Sequence, residues 1–94
     1  MNAERLVEMA NDIADYFSTE PDREEAVTGV LTHLSRFWEA RMQAQIVRHL
    51  EEGGTGLDPL AAEAVRRLKE RLDAAAAQAV ADGTRNRHRF LRRS

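Results

Sequence analysis

Cysteine is absent from the 94 residues. That removes disulfides, thiolate metal sites, cysteine-ligated iron–sulfur clusters and a thiol nucleophile together. Aromatic residues make up only 5% of the chain and proline occurs twice, so few bulky groups can fill a core. No stretch approaches the ~18 uninterrupted apolar residues of a membrane span. The start, Met1-Asn2-Ala3-Glu4-Arg5, lacks the cationic lead and apolar run of a secretory signal. The expected compartment is therefore the cytoplasm. A chain of this length is expected to form one domain and to bury roughly 60–65% of its unfolded surface, which makes a thin core. Without disulfides, stability must come from helix packing or from a partner.

What is present is balanced for a soluble globular protein: 43% hydrophobic and 32% charged residues. The formal net charge of −2 conceals an asymmetry. Residues 84–94 hold Arg85, Arg87, Arg89, Arg92 and Arg93 without a carboxylate. The remainder holds nine of the 14 Lys and Arg against all 16 Asp and Glu. An acidic body with a basic tail follows.

Apolar positions recur at helical spacing. Leu6, Met9, Ala10, Ile13, Ala14 and Phe17 form one stripe, with Glu4, Glu8, Asp12 and Asp15 on the other side. Pro21 ends that segment. Asp22 and Glu25 then read as a capping box for a second helix. Its stripe is Val27, Val30, Leu31, Leu34, Phe37 and Trp38, and Gly29 within it implies close approach of a neighbouring helix. Met42, Ile46, Val47 and Leu50 continue the pattern, either as one long helix or after a break near Glu39. Gly53-Gly54-Thr55-Gly56 is a loop. Asp58-Pro59 opens a last helix whose stripe runs from Leu60 to Ala79 and whose end is expected near Asp82-Gly83. Beyond Leu72 that stripe contains only alanine, so its first half should dock and its second half project or meet a partner. No segment has the period-2 alternation of a strand. The expected fold is all-α: a small bundle of three to four helices, near 4–17, 23–38, 40–52 and 58–81. The domain is expected to span residues 1–82, followed by a basic, flexible tail over 83–94.

Catalytic and metal readings find little support. His33, His49 and His88 are the three histidines, without an HxxxH or HExxH pattern. His33 and His49 read as surface or interface residues. The glycine-rich loop lacks the lysine and the Ser or Thr of a phosphate-binding loop. The carboxylates lie on solvated helix faces. No catalytic residue, cofactor site or metal site is expected. One segment has the composition that interfaces favour: Arg36, Phe37, Trp38, Arg41 and Met42. The two rings could equally fill a core. Adjacent helical positions are 100° apart, so one ring can face inward while the other reaches a partner. The arginine tail could bind nucleic acid or an acidic protein, or simply be a solubilising terminus.

Three blocks carry a family resemblance: Leu6-Val7-x-Met9-Ala10-Asn11-x-Ile13; Pro21-Asp22-x-Glu24-Glu25-Ala26-Val27-x-Gly29; and His33-Leu34-x-Arg36-Phe37-Trp38-Glu39-x-Arg41-Met42. With Gly53-Gly54-x-Gly56-Leu57-x-Pro59-Leu60, they resemble the delta subunit of NAD-dependent, molybdenum-containing formate dehydrogenases over about residues 6 to 68. The family pattern has proline after the Trp-acidic pair where this chain has Ala40, and alanine permits a helix to run on. The resemblance implies a non-catalytic accessory subunit, without a cofactor of its own. Its partner would be the catalytic alpha subunit, which holds the molybdenum cofactor and iron–sulfur clusters. The implied role is assembly, cofactor insertion or stability. Rival readings are a stand-alone helical homodimer and a nucleic-acid-binding regulatory module; the acidic body weighs against the latter.

Overall fold

A computed structural model describes residues 2–93, with side chains described for 2–79. Four helices follow one another: α1 (Ala3–Phe17), α2 (Arg23–Phe37), α3 (Ala40–Glu51) and α4 (Pro59–Arg93). The all-α expectation holds, and the choice between three and four helices resolves to four.

Each boundary has a local cause. The Asn2 side chain accepts from the Arg5 N–H at 2.8 Å and starts α1. Ser18 ends it by donating its hydroxyl to the Asp15 carbonyl at 2.7 Å. Asp22 caps α2 by accepting from the Glu24 N–H at 2.9 Å. The expected capping box is only half formed, however. The Asp22 N–H donates to the Glu20 carboxylate at 3.4 Å, which leaves Glu25 without its reciprocal role.

The break between α2 and α3 occurs without proline. Trp38 and Glu39 are both extended, at φ −88°, ψ 135° and φ −64°, ψ 154°. The carbonyls exposed there are taken up by Gln43, whose amide nitrogen donates to Trp38 O at 2.8 Å, Leu34 O at 3.1 Å and Ser35 O at 3.4 Å. A straight continuation of α2 would carry Ile46 and Val47 away from α1 and α4. Two extended residues redirect the chain, and Ile46 and Val47 are buried as a result.

Helix α3 ends in a Schellman motif: the Gly54 N–H donates to His49 O at 2.9 Å and the Gly53 N–H to Leu50 O at 3.1 Å. Gly53 takes φ +121°, a conformation that favours glycine. Asn11 fastens the following loop to α1. Its amide nitrogen donates to Gly56 O and its amide oxygen accepts from the Asp58 N–H, both at 2.9 Å. His49 Nε2 lies 2.8 Å from Thr55 O and holds the other side of the loop.

The core runs through all four helices. Leu6, Val27, Val30, Leu34, Ile46, Val65 and Leu68 are its largest fully buried side chains. No polar side chain is buried among the described residues. The close approach implied by Gly29 is real: the Phe17 ring lies 2.5 Å from where a β-carbon would stand, so the ring covers the helix backbone. Among the described side chains of α4, burial ends at Leu68 with Leu72 half-buried, and residues 73–79 are all exposed. The first half of α4 thus docks and the alanine-rich stretch projects. The backbone of α4 passes the Asp82-Gly83 point where a stop was expected. A single glycine costs a helix only about 1 kcal/mol, and no proline follows it. The expected flexible tail concerns side chains that lie outside the described residues.

Candidate protein-interaction surface

The five interface candidates separate according to their places on the helices. Trp38 falls four residues beyond Leu34 and seven beyond Leu31, on the inward line of α2. It is 6% exposed and belongs to the core. Phe37, one residue earlier, is 71% exposed. Met42 is half-buried against the core. Arg36 is exposed in the last turn of α2, where a cation suits the helix dipole. Arg41 is exposed on α3 and lines a separate shallow groove with Ala44, Gln45, Arg48 and Glu51.

Phe37 does not stand alone. Its ring lies 4.8 Å from the His33 ring, centroid to centroid, at a tilt of 44°. His33 in turn lines a groove of about 480 Å³ with Asp12, Ile13, Tyr16 and Phe17. Tyr16 is 77% exposed and meets Phe17 edge to face at 5.0 Å. Tyr16 and Phe37 are the two large hydrophobic side chains exposed among the described residues, and both border this one face of α1 and α2. Tyr16 was missing from the sequence-derived candidates. It sits between the apolar stripe and the acidic face of α1, and only the packing of α2 beside α1 brings it near His33.

Electrostatics tie helices together away from this face. Arg67 on α4 donates to both carboxylate oxygens of Glu24 at the start of α2, at 2.8 and 2.7 Å, and also reaches Glu63. The hydrogen bonds and charge of Arg67 hold the Glu24 carboxyl below its usual range. Repulsion from Glu20, then hydrogen bonding to it and the charge of Asp22, push Glu25 upward. Among the described residues, no three His, Asp or Glu side chains gather as a metal site. No helix there is long and apolar enough to cross a membrane.

No curated protein and no solved structure matches the chain. A family model does, over residues 5–65: the NADH-dependent formate dehydrogenase delta subunit, FdsD. Those residues take in α1, α2, α3, the glycine loop and the docked start of α4, and with them the exposed aromatic face. The chain belongs to the family of formate dehydrogenase delta subunits.

Proposed function

We propose that this delta subunit is a non-catalytic accessory of a cytoplasmic, molybdenum-containing formate dehydrogenase, and that it docks on the catalytic alpha subunit. Its role is to support that subunit's assembly, cofactor insertion or stability, by binding the folded form and drawing the equilibrium toward it. The observation that carries this reading is the family match over residues 5–65. Two large apolar rings held in water, Tyr16 and Phe37, support it, because such rings are the usual anchors of protein interfaces. Phe37, Arg36 and Arg41 offer direct contact to the partner. Trp38 and Met42 act from beneath, by fixing the end of α2.

Co-expression with the other formate dehydrogenase subunits tests the proposal. The chain is expected to co-purify with the alpha subunit, and cells lacking it should yield an alpha subunit with less bound molybdenum cofactor or lower stability. Phe37→Ala should leave helicity and the melting temperature nearly unchanged while weakening co-purification. Trp38→Ala should instead cost about 3–5 kcal/mol of folding stability. An alpha subunit with the same yield, cofactor content and stability in the absence of this chain would rule the accessory role out.

A further inference from the structure

We propose that the groove between α1 and α2 receives a cationic amphipathic segment of the partner subunit, with apolar side chains seated in the groove and Arg or Lys set against the carboxylates of α1. The assignment rests on the accessory-subunit reading and names the docking surface and the chemistry that fits it.

Two independent features converge there. The groove is apolar and open, floored by Ile13 and Phe17 and bordered by Tyr16 and His33. Phe37 extends it beyond His33 through their ring contact at 4.8 Å. Beside it runs a line of negative charge. At 100° per residue, Glu8, Asp12 and Asp15 form one ridge of α1, next to the edge that carries Ile13 and Tyr16. Asp12 itself lines the groove. The only basic residue of α1, Arg5, is engaged with Glu8 at 3.5 Å. Asp12 and Asp15 have no ion-pair partner among the described residues, so their charge faces solvent. An apolar trough with a carboxylate rim selects a segment carrying apolar residues on one side and cations at its edge, and it repels an acidic one. The tail of a second copy, with Phe90-Leu91 among five arginines, has the same chemistry. The test therefore distinguishes the two sources.

The experiment uses the full chain co-expressed with the formate dehydrogenase subunits. A photo-crosslinking amino acid replaces Tyr16, and Tyr16→Ala, Asp12→Lys and the control Glu70→Lys on exposed α4 are prepared beside it. Tyr16→Ala and Asp12→Lys should melt with the unaltered chain. Tyr16→Ala should weaken partner binding about thirtyfold or more. Asp12→Lys should weaken it and also reduce its salt dependence, while Glu70→Lys binds normally. The crosslinked peptide should come from the partner and hold apolar residues flanked by Lys or Arg. A crosslink to a second copy, a crosslinked peptide without basic residues, or normal binding by both groove variants would each overturn the assignment. If the unaltered chain co-purifies and both variants do as well, the groove assignment alone fails. If the unaltered chain ignores every formate dehydrogenase subunit, the accessory reading fails and the groove assignment with it.

Discussion

Gln43 closes the α2–α3 junction by donating one amide to three carbonyls, the shortest of these contacts being 2.8 Å to Trp38 O. Leu34 O also accepts from the Trp38 N–H at 3.2 Å, so the loss of Gln43 would fall mainly on Trp38 O. That residue is also the core's only tryptophan, 6% exposed. Gln43→Ala is expected to cost about 1–2 kcal/mol, the usual penalty for a half-buried polar group left without its partner. In a domain of this size each kcal/mol lowers the melting temperature by about 4–8 °C. Thermal unfolding followed by circular dichroism checks this; an unchanged midpoint would mean that water replaces the amide without loss. Phe37, one position before Trp38, packs on little besides His33. The same residue type thus has a different value at neighbouring positions, because one lies on the inward line of the helix and the other lies off it.

Among the elements, the bidentate contact between Arg67 and Glu24 joins the first turn of α2 to α4. Its pH dependence has a definite sign. The Glu24 carboxyl titrates below its ordinary value of 4.5, first through its hydrogen bonds to Arg67 and then through the charge of Arg67. Folding therefore favours the ionised form. The stability it contributes is present above the unfolded carboxyl's range and is lost as pH falls through the lowered value. Glu25, pushed above 4.5 chiefly by Glu20, works in the opposite direction. Its contribution is present below the ordinary range and is lost as pH rises through the raised value. In urea titrations across this acid range, Glu24→Gln should flatten the loss of stability on acidification. Glu25→Gln should steepen it, because it removes the opposing group. Because both groups are exposed, the effects should be small and should shrink in high salt. Curves for the two variants that moved in the same direction would contradict this assignment.

For the whole molecule, stability is concentrated in the part where four helices meet. Among the described side chains of α4, burial ends at Leu68 with Leu72 half-buried, and residues 73–79 are exposed. Ending the chain after residue 79 is expected to leave the free energy of unfolding within about 0.5 kcal/mol of the full chain, as for surface changes away from packed features. The helical signal per residue should stay high. Partner binding measured on the same truncated chain asks whether the basic tail assists docking. Retained stability with weakened binding would give the tail a role in recognition. A large drop in the midpoint would contradict the separation of a docked half of α4 from a projecting one.

Much of this architecture is determined by the sequence alone. Capping residues, the two prolines and the glycine loop are local signals, and they set the helices to within about two residues, except at the end of α4. Helical spacing likewise assigns Leu6, Ala10, Val27, Leu34, Val65 and Leu68 to the core, since a short chain has only one apolar face per helix to bury. The order of the motif blocks carried the family. Other features depended on contacts between residues far apart in sequence or on the path taken by the chain. Ala40 permits either a continuous helix or a break, and the burial of Ile46 and Val47, with Gln43 over the freed carbonyls, decides for the break. The capping box stayed incomplete because Glu20, outside the pattern, reached the Asp22 N–H. Asn11 became the clamp of a loop more than 40 residues away only when that loop folded onto α1. The interaction face is the clearest case. Composition pointed to Phe37 and Trp38 together, but packing turned Trp38 inward and joined Phe37 to His33 and to the groove beside Tyr16. Periodicity specifies which side of a helix is apolar, whereas the residues that share a surface depend on which helices lie side by side, and only the tertiary structure decided that.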